Sequence, residues 1–149
     1  MRKVVDGRPR EGDRDLILHL AVCREYDEAI VGPPARSLLG ALPNEAVEAA
    51  MRDEIGWARQ HGPPEYLVLT SARAWLFFAS HRIASKIEAG VWAAAHDAEP
   101  AVIEAALARQ RGTPVAIPTD AAKRFADRVE HLIRRPQAGT AGDHISLDR

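Results

Sequence analysis

Three groups of residues in this 149-residue chain are of types that do chemistry. The first is Asp13-Arg14-Asp15. Two carboxylates at i and i+2 on a strand face the same way, the geometry with which paired aspartates hold a magnesium ion. Here the middle residue is an arginine, the residues that follow repeat with a helical period, and no Gly-Ser loop precedes the pair. Asp13 and Asp15 therefore read as acids at a helix N-terminus, where the helix dipole favours them. The second group is the six histidines, His19, His61, His81, His96, His131 and His144, which show no metal-ligand spacing. The third is Arg73, a lone guanidinium in an otherwise apolar run. A buried cation must be paired or must line a cavity, so Arg73 is either an ion-pair partner of a carboxylate such as Glu65 or Glu88, or a contact for an anion such as phosphate.

The elements that must position these groups are helical. Glu65 to Trp92 holds two of the three Trp and all but one of the Phe residues. Tyr66 to Ala79 is apolar on nearly every side, which places that helix in the middle of a bundle. The run is too short to span a bilayer, and Arg73 interrupts it. After a turn at Ser80-His81-Arg82, Ser85-Lys86-Ile87-Glu88 has the spacing of a capping box and opens the next helix. Upstream, Leu16, Ile17, Leu20, Cys23 and Tyr26 recur at helical spacing from Asp13 or Arg14. Ala29-Ile30-Val31 reads as an isolated strand or extended link, with no sheet in the sequence for it to join. Pro34 to Leu39 makes a turn or two of helix, and Asn44 caps a helix carrying Val47, Ala50, Met51, Ile55 and Ala58. A helix over Asp97 to Gly112 follows the hairpin. A last amphipathic helix then places Ala122, Phe125, Val129, Leu132 and Ile133 on one face.

The expected fold class is all-α, a helical bundle with a short extended segment near residues 29–32. It comprises a flexible arm (1–12), a linker helix with the extended segment (13–34), a helical domain (35–135) and a disordered tail (136–149). Lys+Arg 20 against Asp+Glu 21 leaves the net charge near zero, so no general nucleic-acid-binding surface is implied. One cysteine, Cys23, excludes an intramolecular disulfide framework and fits a reducing cytoplasm. No signal peptide or spanning segment is visible, and a cytoplasmic location without a membrane partner is expected.

Two resemblances rest on these motifs. Arg14 and His19 have the Arg-x4-His spacing of helical ribonuclease domains of the HEPN type, which a chain with this many arginines gives readily. The run Tyr66-Leu67-Val68-Leu69-Thr70-Ser71-Ala72-Arg73-Ala74-Trp75, then Arg82-Ile83-Ala84-Ser85-Lys86-Ile87-Glu88-Ala89-Gly90-Val91-Trp92-Ala93, is the more specific. It resembles the helical C-terminal domain of the aminoglycoside adenylyltransferases that act on streptomycin and spectinomycin. Asp13-Arg14-Asp15-Leu16, Arg24-Glu25 and Ile30-Val31-Gly32-Pro33-Pro34 are similar to the segment that precedes this domain in the family and joins it to the catalytic domain.

The resemblance implies a domain that faces a nucleotidyltransferase domain across the active-site cleft. The nucleotidyltransferase domain brings the Gly-Ser loop, the magnesium aspartates and the base, and those elements are not found here. Arg73 and Lys86 match positions expected to contact ATP phosphates, on one common, partly open surface. Arg59, Glu65 and Tyr66 match the substrate-facing start of the central helix, where Arg59, Pro63, Pro64 and Tyr66 replace most of the acidic lining expected for a cationic antibiotic. Gln110 replaces a tyrosine, and His81 stands where a glycine is usual. No catalytic or metal-binding residue is assigned. ATP and magnesium belong to the intact family, and the expected partner is a nucleotidyltransferase domain, upstream in the gene or in another chain. The expected function is that of the helical supporting domain, inactive alone, in AMP transfer from ATP to an aminoglycoside hydroxyl. The alternatives are a non-catalytic ligand-binding or interaction module, or the HEPN-like nuclease.

Overall fold

The computed structural model describes residues 14–134, which form seven α-helices and no strand. In chain order these are α1 (Arg14–Tyr26), α2 (Ala35–Leu38), α3 (Asn44–His61), α4 (Pro64–Ser80), α5 (Lys86–His96), α6 (Ala101–Gln110) and α7 (Thr119–Arg134). The all-α bundle expected from the sequence is the observed architecture. The expected arm and tail lie outside the described residues, as does Asp13.

The chain is arranged around α4. Proline at its first position costs no hydrogen bond there and pre-sets the helical φ. Leu67 to Ala72, Ala74, Leu76 and Phe77 are all buried, because α4 packs against α3, α5, α6 and α7. α4 ends at His81, which takes the left-handed conformation (φ 53°) usually left to glycine, and its ring meets Phe77 edge-on. α5 then starts on the anticipated capping box: Ser85 Oγ accepts from the Glu88 amide, and the Ser85 amide donates to the Glu88 carboxylate. An added Cβ on Gly90 would lie 2.8 Å from a Leu107 methyl and 2.9 Å from a Leu69 methyl, so α5 approaches both α4 and α6 closely at this residue. Along α7, Ala122, Phe125, Ala126, Val129 and Ile133 face the core, while Leu132 lies at its exposed edge.

Several local expectations are corrected. α1 buries Leu18 and Ala21, whereas Leu16, Cys23 and Tyr26 are exposed. This stretch is apolar at most positions, and packing on α3 selects the face. Asn44 is the first residue of α3 rather than its cap. Pro43 holds the cap position without a side-chain bond. α6 starts at Ala101 and not at Asp97, since Pro100 disfavours helical geometry in the residue before it. Residues 30–33 run as a series of bends, not a strand, with Ile30 and Val31 fully in solvent.

Trp75 is half-buried, set edge-on against Trp92 at 5.1 Å, and the most enclosed rings are Phe77 and Phe125. Emptying a fully buried aromatic site costs roughly 3–5 kcal/mol. Chemical denaturation should accordingly show Phe125→Ala losing about that much, and Trp75→Ala losing less because part of its ring is already wet. Equal losses would contradict this packing. Two buried hydroxyls on α4, Thr70 Oγ1 and Ser71 Oγ, have no hydrogen-bond partner. An unmade buried hydrogen bond costs about 1–3 kcal/mol. Thr70→Val keeps the shape and removes the orphan, so its melting temperature should rise; a fall would mean that the hydroxyl is satisfied in solution.

Candidate anion site

Gly62 and Pro63 join α3 to α4 through a tight turn. A Cβ on Gly62 would lie 2.9 Å from the Ala58 carbonyl oxygen, so only glycine fits without a shift. The hairpin lays the third turn of α3 against the middle of α4, and there Glu54 meets Arg73. Arg73 Nη2 donates to Glu54 Oε2 in an ion pair whose two side chains are 13% and 11% exposed. Lys86, at the first position of α5, brings its Nζ to 3.5 Å from Glu54 Oε1. The Tyr66 hydroxyl donates to the same oxygen at 3.0 Å, and the Lys86 ammonium sits 3.3 Å from the centre of the Tyr66 ring. Three helices thus contribute to one compact cluster of two cations, a carboxylate and a phenol.

The charges are strongly coupled. Burial pushes the Glu54 carboxyl up, but Arg73 and Lys86, with the hydrogen bonds from Arg73 and Tyr66, outweigh it and hold the group below its ordinary value. Arg73 is not saturated by this pairing, since its Nε is buried without an acceptor.

Arg73 and Lys86 are brought together on one carboxylate, their side chains 13% and 22% exposed. The carboxylate that joins them is neither Glu65 nor Glu88. Glu65 is occupied by Arg109 at 3.0 Å, and Glu88 by Tyr26 and the α5 cap. Of the expected substrate-facing residues, Tyr66 joins the cluster, whereas Glu65 turns to Arg109 on α6. Arg59 turns to α7, where it pairs with Asp127 at 2.8 Å and Glu130 at 3.1 Å. Next to the cluster Trp57 is 54% exposed, stacked on His61 and edge-on to Tyr66. Glu54 and Trp57 were not singled out from the sequence. Among the described residues no three His, Cys, Asp or Glu are grouped to hold a metal ion. Asp15 lies within α1, as expected of a helix N-terminal acid rather than a strand ligand.

The position of α5, and with it Lys86, is secured from α1. The Tyr26 hydroxyl donates to Glu88 Oε2 at 2.7 Å and accepts from the Ser85 amide at 3.1 Å. Arg24 reaches back to the Leu39 carbonyl at 2.6 Å.

This architecture is an all-helical domain with a half-buried, carboxylate-bridged pair of cations beside its central hairpin. Residues 37–135 match the family described as the C-terminal domain of aminoglycoside adenylyltransferases, and the chain belongs to that family. It is similar to aminoglycoside (3'') (9) adenylyltransferases of Klebsiella pneumoniae, 32% identical over 92 residues, and of Rhizobium radiobacter, 29% identical over 126 residues. The aligned parts are 57% and 82% of this chain but only 34% and 46% of those proteins. The chain therefore spans less than half the length of the curated relatives it matches.

The Tyr26 bond to Glu88, together with the Ser85 contacts, lowers the Glu88 carboxyl from 4.5 to about 2. A depressed folded-state value means stability that is complete above the ordinary value and is lost as pH falls from there through about 2. Carboxyl NMR titration should place the Glu88 midpoint near 2 in the wild type and distinctly higher in Tyr26→Phe. Matching midpoints would show that Tyr26 does not clamp this helix start.

Proposed function

We propose that this chain is the helical, phosphate-facing half of an adenylyltransferase of the aminoglycoside family, and that Arg73 and Lys86 contact the phosphates of ATP. The observation that carries this reading is their convergence. Two cations from different helices stand on one side of the α4–α5 hairpin, and one of them retains a buried donor without an acceptor. Lys86 lies at the start of α5, where the first-turn amides add partial positive charge that favours an anion. A site of this kind, alone, binds a triphosphate with a dissociation constant on the order of a millimolar and loses it as salt rises.

In this reading ATP donates AMP to an aminoglycoside hydroxyl, and the Glu65–Tyr66 end of α4 faces the acceptor. Catalysis by phosphoryl-type transfer rests on metal-held phosphates and an aligned nucleophile. In this reading magnesium is assigned to no residue of this chain. The metal, the phosphate loop and the base come from a nucleotidyltransferase domain, upstream in the gene or in another chain. Surface chemistry supports such a partner: Ile30, Val31 and Leu38, close in sequence between α1 and α3, are 101%, 91% and 70% exposed. Apolar groups this exposed are ones that a partner would cover. The setting is cytoplasmic, in keeping with the single cysteine, and among the described residues no helix is long and apolar enough to cross a membrane.

Two measurements test the proposal. The 149-residue chain, given magnesium, ATP and streptomycin or spectinomycin, should release no pyrophosphate above a no-protein control. Clear turnover would overturn the division of labour. Lys86→Met should abolish the weak, salt-sensitive binding of ATP seen by calorimetry, and unchanged binding would remove the phosphate assignment. Lys86 is the better probe, because removing Arg73 leaves a buried carboxylate without its principal partner and destabilises the domain.

A further inference from the structure

We propose that Glu54 is a built-in counter-anion, and that a polyphosphate chain enters this site by displacing the Glu54 carboxylate from Arg73 and Lys86. The inference rests on the phosphate reading of those two cations and adds the group that controls access to them. Glu54 stands between them with both oxygens engaged, Oε2 by Arg73 and Oε1 by Tyr66 and Lys86. An incoming phosphate therefore meets a site already neutralised by one charge, with a like charge where its own oxygens would sit.

Displacement has a direction in charge and in pH. A single anion that replaces Glu54 on Arg73 exchanges one ion pair for another and gains little. A di- or triphosphate brings enough charge to hold both cations at once, so the site selects a phosphate chain over inorganic phosphate or sulfate. Once displaced, the carboxylate loses the two cations that keep it ionised and faces a like charge instead, so its proton affinity rises. Binding is then linked to proton uptake at Glu54 and weakens as pH rises through the ordinary carboxyl range. The groups that face Glu54 across the hairpin are Arg73 and Tyr66 from α4 and Lys86 from α5. On the other helices packed on α3, three charged groups are engaged elsewhere. Asp127 and Glu130 of α7 pair with Arg59, and Arg24 of α1 donates to main-chain carbonyls.

The test uses inorganic tripolyphosphate and the 149-residue chain. Calorimetry should show Glu54→Gln binding tripolyphosphate about tenfold or more tighter than wild type, as removing one adjacent like charge requires. Inorganic phosphate should bind Glu54→Gln detectably and wild type far less. If Lys86→Met abolishes binding but Glu54→Gln leaves it unchanged or weaker, the counter-anion proposal is overturned while the phosphate reading stands. Tripolyphosphate binding that Lys86→Met leaves intact overturns both. Should the glutamine variant fold poorly, the wild type decides. With carboxyl-labelled glutamate, the Glu54 titration midpoint should move upward on saturation with tripolyphosphate, and a stationary midpoint defeats displacement.

Discussion

Almost every side of α4 is covered by protein, and this one constraint fixes what its polar residues can do. A helix packed by α3, α5, α6 and α7 leaves little solvent to hydrate a charge in its middle turns. Arg73 must then find its counter-charge within the fold, and Glu54 of the antiparallel α3 is the carboxylate that the turn at Gly62 brings opposite it. Taking two charges out of water costs several kcal/mol per ion, and only close geometry with further hydrogen bonds repays it. Tyr66 and Lys86 supply that support, so the cluster is as much a consequence of burying α4 as a feature of a site.

Much of this was legible from residue order, and the limits are instructive. The central helix announced itself because its apolar residues have no polar stripe to interrupt them, which leaves it no place on a surface. The α5 start was equally plain, since Ser85 and Glu88 satisfy each other across a fixed three-residue spacing. α7 has the clean amphipathic pattern of a helix lying on one side of a core. Glu54 carried no such signal. It is one of several acids on α3, with Glu45, Glu48 and Asp53, and which of them reaches Arg73 depends on how α3 and α4 are aligned along each other. The candidates nearer in sequence, Glu65 and Glu88, are drawn off by Arg109 and by Tyr26. α1 was misread for a related reason: Leu16 to Leu18 and Leu20 to Cys23 are apolar nearly throughout, and only the helix they meet decides which two go inside.

The distribution of paired cations also separates two kinds of arginine in this fold. Arg59, Arg109 and Arg128 fasten one helix or loop to another at the rim, with side chains 27%, 47% and 40% exposed. Exposed pairs of that sort contribute about 0–1 kcal/mol each. Arg73 is more deeply set and holds a carboxylate shared with a lysine and a tyrosine, so its loss is felt by three helices together.

The match to the family's C-terminal domain begins at residue 37, yet the hydrogen bonds do not respect that line. Tyr26 closes the α5 cap, Arg24 holds the Leu39 carbonyl, and Asp27 pairs with Arg36. A fragment trimmed to the matched residues would open the α5 start beside Lys86 and strip α1 from the flank of α3. The stretch that defines the family domain is therefore smaller than the hydrogen-bonded unit, and a piece excised at residue 37 is a poorer specimen of the domain than one that keeps α1.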